Sequence, residues 1–271
     1  MRCVYMSDLH LEGQDFGWPV PEGDVLILAG DMCHAACLAA TRMDPYAVRQ
    51  RDRVLRLIER AGQTFRHVLA IAGNHEHYDG VFEDTAGIMQ AHLPGVRVLD
   101  NDSVEIGGVA FFGTTLWSDF EGRSLPAIEA ARKGMGEYFF AKTREHDGEG
   151  RERLVRLGPQ ATLDAHDASL AALGAHLAAR DGEPTVVVSH HAPSRKGLNA
   201  LHMGNPLDGA YASALDGMIA GLESVPFWVH GHTHVVAAYT IGRCRVVANC
   251  RGFGGREVSG RGFRPDRSFE V

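Results

Sequence analysis

The amino-acid sequence predicts an α/β protein in which mixed β-sheets are covered by helices. Strand-like apolar runs alternate with helical patterns in the first half of the 271 residues, and further strand-like runs cluster towards the end. No Pro/Ser-rich linker, low-complexity tract or internal repeat interrupts this order. We therefore predict a single domain over residues 1–271, a length that suffices for one large core.

Eight short runs rich in aliphatic and aromatic residues predict the strands. They lie at residues 3–7, 24–30, 67–73, 109–115, 185–190, 227–231, 235–241 and 244–249. Gly107-Gly108 and Gly242-Arg243 indicate tight hairpin turns between late strands.

Two longer segments have the periodicity of amphipathic helices. The first begins at Asp44-Pro45, a capping residue followed by proline at the first helical position, and continues through Ala61. The second extends from about 159 to 180. Its apolar stripe recurs at steps of three and four residues, at Leu163, His166, Leu170, Leu173 and Leu177. Because His166 lies on this stripe, we expect it to pack in or beside the core.

Residues 116–160 differ from this pattern and are interpreted as an insertion on the rim of the main fold. Within them the run KTREHDGEGRER, at 142–153, is almost entirely polar. Such a charge run predicts a solvated face or a mobile loop.

Potential metal ligands follow five of the predicted strands. The strand ends read Asp8-Leu9-His10, Gly30-Asp31, Gly73-Asn74-His75, His190-His191 and His230-Gly231-His232-Thr233-His234. A single Asp, Asn or Gly at a strand end usually indicates a turn. Five such ends together indicate a shared site, because α/β folds bind ligands in the crevice beyond the ends of their strands.

The spacing and types of these residues suit a catalytic metal site. On extended backbone, residues two apart such as Asp8 and His10 point the same way and can hold one ion. His232 and His234 repeat that spacing, although beyond a glycine they could also diverge towards two ions. Carboxylate, amide and imidazole ligands together favour Mn, Fe or Zn over calcium. Cysteine is not needed, which is typical of catalytic sites with open positions.

The five cysteines, Cys3, Cys33, Cys37, Cys244 and Cys250, have no disulfide-framework spacing and fit reduced thiols. Cys33-His34-x-x-Cys37 has a spacing that could bind a metal ion. Because no second Cys/His pair completes a tetrahedral set, we expect buried or helix-start thiols there instead.

These motifs resemble those of the calcineurin-like metallophosphoesterase superfamily, in the same order and strand-end setting, over residues 8–234. The resemblance implies a four-layer α/β/β/α sandwich of two mixed sheets flanked by helices, with two divalent or trivalent metal ions at the strand ends. One ion would take Asp8, His10 and His234, the other would take Asn74, His190 and His232, and Asp31 would bridge them. His75 would be an unliganded acid near the substrate.

This arrangement suggests a mechanism as a hypothesis. Two metals about 3.5 to 4 Å apart can bridge a hydroxide, orient a phosphoryl group and stabilise its developing charge. A leaving alkoxide needs a proton, and an imidazole such as His75 suits that task at neutral pH. Asp8 or Glu76 is the candidate that sets the tautomer of His75, and Gly73 is expected to let the backbone turn. His77 is given no role.

Substrate contacts are expected outside the metal ligands. The candidates are His191, Arg195 and Asn199, with Trp117–Phe120, Lys196, His202, Asn249 and Arg251 as further possibilities. Phosphoprotein phosphatases of the superfamily continue Gly-Asp into Gly-Asp-x-x-Asp-Arg, whereas here Gly30-Asp31 is followed by Met32-Cys33-His34. The missing arginine favours a phosphodiesterase on a small or nucleotide-like substrate. The alternatives are a phosphomonoesterase or protein phosphatase, and a non-catalytic metal-binding scaffold.

The net charge of −7 argues against a field that attracts nucleic acid, so a phosphoester is the expected partner and nucleic acid is not. No apolar run approaches the roughly 20 residues that span a bilayer. The N-terminal MRCVYMSDLH leads directly into a strand, unlike a signal peptide. A cytoplasmic location is therefore expected.

Overall fold

The computed structural model describes residues 1–199, 203–253 and 262–271, and the strands in these ranges form two large sheets and one hairpin. The strands are β1 (Arg2–Met6), β2 (Gly23–Leu28), β3 (Phe65–Ala70), β4 (Val96–Val98), β5 (Asp102–Ile106), β6 (Val109–Thr114), β7 (Lys142–His146), β8 (Glu152–Arg156), β9 (Thr185–Ser189), β10 (Phe227–His230), β11 (Val236–Ile241), β12 (Cys244–Asn249) and β13 (Ser268–Glu270).

The helices of the same ranges include two long ones, and the others are short. They are α1 (Pro45–Thr64), α2 (Thr85–His92), α3 (Phe120–Arg123), α4 (Leu125–Gly134), α5 (Glu137–Phe140), α6 (Pro159–Ala179), α7 (Asp208–Tyr211) and α8 (Asp216–Ala220). Single 3₁₀ turns lie at Ala35–Cys37, His75–His77, Phe82–Asp84 and Arg195–Gly197.

Both large sheets are mostly parallel with antiparallel strands at their edges. The first has the order β13-β1-β2-β3-β4, with β13 antiparallel. The second has the order β11-β12-β10-β9-β6-β5, with β11 and β5 antiparallel. Met6 pairs with Leu28, and Leu28 pairs with Ala70, so β1, β2 and β3 end level with one another. The residues that follow these three strands therefore emerge along one edge.

Alternation along the strands explains why helices cover both outer faces. In β1, Cys3 and Tyr5 pack in a core between the two sheets, whereas Val4 and Met6 pack against α1. In β9, Val186 and Val188 enter the same central core, and the opposite face packs against α6. A strand buried on both faces is expected to be largely apolar, as the three central valines of β9 are. The predicted four-layer α/β/β/α sandwich is confirmed.

The eight predicted strands and two predicted helices are confirmed, with ends that differ by a few residues. Asp44 caps α1, because its carboxylate accepts a hydrogen bond of 2.9 Å from the backbone N–H of Ala47. His166 in α6 is buried as expected, with Nδ1 2.9 Å from the carbonyl oxygen of Leu116. The short elements β4, α2 and β13 had not been predicted.

The charged run at 142–153 corrects one expectation. It is solvated, but it forms the β7–β8 hairpin and is not a mobile loop. Ion pairs cross the two strands, with Arg144 Nε 3.3 Å from Glu152 and Arg153 Nη2 3.0 Å from Glu145. Cross-strand pairs of opposite charge stabilise this hairpin. Its strands lack the alternation of apolar and polar residues by which a strand is usually predicted.

The rest of segment 116–160 forms α3, α4 and α5. Its apolar side chains, among them Trp117, Phe120, Ala131 and Tyr138, form a cluster with Leu163 of α6.

Within the described ranges, none of the helices is long and apolar enough to cross a membrane. The single domain over 1–271 and the rim insertion stay predictions.

Candidate metal centre and its cavity

The strand ends of both sheets bring two sets of potential metal ligands together. In the first set, ligand atoms of Asp8, His10, Asp31 and His234 all lie within 4.8 Å of one another. In the second set, the same holds for Asp31, His190 and His232. Asn74 joins the second set, because its Oδ1 lies 3.1 Å from Nε2 of His190. Asp31 is thus shared, and all seven ligands predicted from the sequence lie at one centre.

The backbone at these ligands is unusual. Asp8, His10, Asp31, His232 and His234 have φ values of 54, 46, 55, 65 and 51°, in the left-handed region that residues with a side chain rarely adopt. Asp8 and His10 were expected to point the same way because their backbone would be extended. Their backbone is left-handed instead, so that reason was wrong, although their ligand atoms do lie in one set. Such strained positions concentrate at functional sites, where the surrounding structure enforces them.

Two glycines leave the space that this centre needs. Gly30, with φ of 86°, adopts a conformation that side chains disfavour, and it precedes Asp31. At Gly73 a Cβ atom would collide with Oδ1 of Asp31 and would lie 2.7 Å from Cε1 of His190. Gly73 is therefore required for close packing between two ligands, a different reason from the turn expected there.

The donor atoms fit a pair of cations. Nε2 of His232 is buried and has no hydrogen-bond partner among the described residues. Nε2 of His10 and Nε2 of His234 face each other at 3.0 Å. Two imidazole nitrogens at that distance need a proton or a cation between them. Buried carboxylate, amide and imidazole groups in this arrangement match Mn, Fe or Zn.

The charges of the centre compensate one another. Burial opposes ionisation of Asp31, but the charges of His190 and His75 outweigh it and hold the pKa of Asp31 well below its ordinary value. Burial alone would lower the pKa of His190, yet Asp31 raises it to about 9. Burial lowers the pKa of His232 well below its ordinary value, which keeps this imidazole neutral. A neutral imidazole is the form that binds a metal.

His75 lies beside this centre and is held by a carboxylate that the sequence had not indicated. Its Nδ1 is 3.0 Å from Oε1 of Glu12, and its Nε2 is 3.9 Å from Oδ2 of Asp31. The same Oε1 lies 2.8 Å from Nδ1 of His10. Burial opposes protonation of His75, but Asp31 and Glu12 raise its pKa to about 9. Glu12, and neither Asp8 nor Glu76, therefore contacts the ring of His75.

Glu76 supports the backbone beneath the ligands. Its buried carboxylate accepts hydrogen bonds from the N–H groups of Gly73 at 2.7 Å, Asp31 at 2.8 Å, Met32 at 2.6 Å and Cys33 at 3.1 Å. These bonds tie the loop after β2 to the loop after β3. Glu76 thus supports the backbone of these loops, a different role from setting the tautomer of His75.

Asn74 is held on its nitrogen side by segment 116–160. Its Nδ2 is 3.1 Å from Oη of Tyr78 and 3.2 Å from Oε2 of Glu137, the first residue of α5. Oη of Tyr78 is in turn 3.4 Å from the same Oε2. The Tyr78 ring also stacks on His75, with centroids 4.4 Å apart.

A cavity of about 620 Å³ opens onto this centre. The described residues that line it are Asp31, Asn74, His75, Tyr78, Gly134, Met135, Gly136, Leu198, Asn199, Asn205, Leu207, Asp208, Tyr211, His232, Thr233, His234 and Phe253. Apart from the histidines, these side chains are apolar, aromatic, amide, hydroxyl or acidic.

The residues proposed for substrate contact fall into different places. Asn199 lines the cavity, whereas Arg195 pairs with Glu121 at 2.8 Å and lies outside the described lining. His191 is 1% exposed, and its ring contacts those of His232 and Trp117. Burial beneath a ligand gives His191 no surface towards a substrate. His202 lies outside the described residues.

The remaining candidates are held by other groups. Lys196 pairs with Asp216 at 3.0 Å, and Asn249 donates to the carbonyl oxygen of Tyr5 at 2.9 Å. Arg251 donates to the carbonyl oxygens of Leu9 at 3.0 Å and Asp15 at 2.7 Å. These side chains stabilise loops around the centre, and Trp117 lies buried behind it.

Two further groups of polar side chains lie nearby. Cys33 and Cys37 are buried thiols, as expected. His34, Cys37 and Asp79 have ligand atoms within 4.8 Å of one another, but Asp79 also lies 3.8 Å from the guanidinium of Arg42. His77 is buried, stacked on Phe82 with centroids 4.7 Å apart.

Comparisons with known proteins agree with this geometry. Residues 1–236 match the family model described as calcineurin-like phosphoesterase. The uncharacterized protein L509 of Acanthamoeba polyphaga mimivirus is 19% identical over 216 residues, which cover 74% of this chain and 73% of that protein. The crystal structure of the phosphopantetheinyl hydrolase PptH from Mycobacterium tuberculosis superposes with a TM-score of 0.62 at 17% identity, covering 95% of this chain and 93% of that one. This structural likeness concerns the fold.

Proposed function

Because the chain belongs to the calcineurin-like phosphoesterase family, we propose that it is a phosphodiesterase that hydrolyses a small or nucleotide-like substrate at a two-metal centre. The observation that carries the proposal is the pair of ligand sets that share Asp31 and open onto one cavity. A carboxylate has two oxygens and can contact two ions at once. Mn, Fe or Zn remain the metals that these ligands favour.

The residues that would hold the ions are those of the two sets. Asp8, His10 and His234 would hold one, and Asn74, His190 and His232 would hold the other. Bound ions of this kind supply an activated water and stabilise the negative charge that develops on the phosphoryl oxygens.

His75 would move the proton in the reaction. Its Nδ1–H donates to Glu12, which directs Nε2 towards the space beside Asp31. In the protonated ring, the hydrogen on Nε2 is then available to the oxygen of the leaving alcohol. Since Glu12 Oε1 also accepts from Nδ1 of His10, one carboxylate orients a metal ligand and the acid together.

A diester is favoured over a monoester by the charge of the cavity. A monoester dianion carries one negative charge more than a diester and is usually bound by additional cationic groups. Apart from the residues that would hold the ions and His75, the charged side chain of the described lining is the carboxylate of Asp208. A second ester group of neutral or aromatic character would fit beside Tyr211, Phe253 and Leu198, which line the same cavity.

The test is a panel of phosphoesters offered to Mn²⁺-loaded enzyme. It would include bis-p-nitrophenyl phosphate, p-nitrophenyl phosphate, a cyclic and a linear nucleotide, and a phosphopantetheinyl ester. We expect a higher kcat/KM for diesters than for the matched monoester. The reverse ranking would replace the diesterase by a phosphomonoesterase, and inactivity across the panel would favour a non-catalytic metal-binding scaffold.

Asp31→Asn provides the control for metal-dependent turnover. This variant keeps the shape of the side chain but removes the charge shared by the two sets, so we expect it to lose bound metal and nearly all turnover. Metal content measured by mass spectrometry checks this result. Retention of both ions and of activity would mean that Asp31 does not bridge them.

A further inference from the structure

We propose that Glu137 is a positioning residue that turns the amide oxygen of Asn74 towards the second metal. The inference rests on the proposed two-metal centre. It assigns to segment 116–160 a part in that centre that its location on the rim did not indicate.

The contacts of Asn74 divide between the two ends of its amide. Oδ1 lies 3.1 Å from Nε2 of His190, inside the second ligand set. Nδ2 lies 3.2 Å from Oε2 of Glu137 and 3.1 Å from Oη of Tyr78. Glu137 is 1% exposed, so water does not compete for this carboxylate.

Hydrogen-bond chemistry makes this division directional. Burial raises the pKa of Glu137, whereas the hydrogen bond from Asn74 favours the ionised carboxylate. An ionised carboxylate only accepts hydrogen bonds, and an amide nitrogen only donates them. If the amide of Asn74 were rotated by half a turn, its oxygen would face the carboxylate oxygen of Glu137 in a buried site. The donor would then face the metal, to which it offers no lone pair. Glu137 therefore selects the one orientation in which Asn74 can be a ligand.

The backbone around Glu137 holds it in place. Gly136 precedes it, and a Cβ atom at Gly136 would collide with Oη of Tyr78. Gly134, Met135 and Gly136 line the cavity. The turn that forms one cavity wall is thus continuous in sequence with the residue that contacts Asn74.

Calorimetric titration of metal-stripped protein with Mn²⁺ tests the proposal without a substrate. We expect two binding events in the unmodified protein, and His190→Ala identifies the event of the second site by abolishing it. Glu137→Ala is expected to weaken that event about 10- to 100-fold, the usual effect of losing a group that orients a ligand, and to leave the other event unchanged. Glu137→Gln should restore it in part, because its Oε1 can accept the same hydrogen bond whereas its Nε2 can also donate to a rotated Asn74 amide.

Glu129→Ala is the matched control, since Glu129 lies in the same segment but pairs only with exposed Arg132 and Lys133. If Glu137→Ala does not fold, Tyr78→Phe carries the test. It removes one of the two acceptors of Nδ2 and should weaken the same event by a smaller factor.

Several results would overturn the inference. They are unchanged binding in Glu137→Ala, equal weakening of both events, and a Glu137→Gln variant as weak as the alanine variant. A single binding event in the unmodified protein would instead overturn the proposed two-ion centre. Failure of the role of Glu137 and failure of the two-ion centre therefore give different results.

Discussion

Replacing His75 by alanine should slow the reaction without removing the metals. His75 is 15% exposed, lines the cavity and contacts Glu12 and Asp31. It lies in neither of the two ligand sets that share Asp31, although ligand atoms of His10, Glu12 and His75 also lie within 4.8 Å of one another. Loss of a positioned general acid lowers the rate about 10²- to 10⁴-fold, equivalent to about 3–5 kcal/mol of transition-state stabilisation. We expect this full loss only where the leaving group needs a proton.

The assay compares aryl phosphodiesters that differ in the acidity of the phenol that leaves. An acidic nitrophenol departs as an anion, so His75→Ala should lose about tenfold or less in kcat/KM with that substrate. A weakly acidic phenol or an alcohol should show the full loss, because its oxygen must be protonated as it leaves. Metal content, measured on the same preparations, should match that of the unmodified protein.

Two results would refute this reasoning. An equal loss with every leaving group would show that His75 orders the site and does not transfer a proton. Loss of a metal ion would show that it is a ligand. His77→Phe serves as the control, since His77 lies two residues from His75 in the sequence but does not line the cavity.

Two other predictions follow from buried side chains. Glu12→Ala should weaken binding of the ion that Asp8, His10 and His234 would hold about 10- to 100-fold, because His10 loses its acceptor. Calorimetry with Mn²⁺ checks this, and unchanged binding would contradict it. Burial lowers the pKa of His77 from 6.5 to about 3, so its contribution to stability is present above pH 6.5 and is lost as the pH falls towards 3. Between pH 6.5 and about pH 5 the loss is about 2 kcal/mol, and urea unfolding of His77→Phe should show a pH dependence smaller by that amount. An identical pH dependence in both proteins would mean that His77 is not protonated on unfolding.

The candidate ligands could be proposed from the sequence because they lie within a few residues of the ends of apolar strands. Local signals, namely the strand pattern and the residue types at its end, place Asp31 and His190 at strand ends of an α/β fold. The hairpin at 142–153 gave no such signal, because ion pairs between its strands replace the apolar alternation. The left-handed backbone at Asp8 was equally hidden, since aspartate is common in ordinary turns.

Partners that are distant in sequence could not be found in this way. Glu12 and His75 are 63 residues apart, as are Asn74 and Glu137. The signal available for Glu12 was its position two residues after His10, within the motif SDLHLE. Glu137 had no signal, because a glutamate at the start of a helix usually needs no partner beyond the helix N-terminus.

The two ligand sets draw on both sheets, and this has a consequence for how the protein acquires its metals. Nε2 of His10 and Nε2 of His234 lie 3.0 Å apart, yet 224 residues separate them. At about 5–20 residues per second, a ribosome needs roughly 10 to 45 s to add the second histidine after the first. Neither set is complete until both sheets have formed and docked, so we expect metal loading to follow the docking of the two sheets. An ion that binds only the docked state stabilises the protein against separation of its halves.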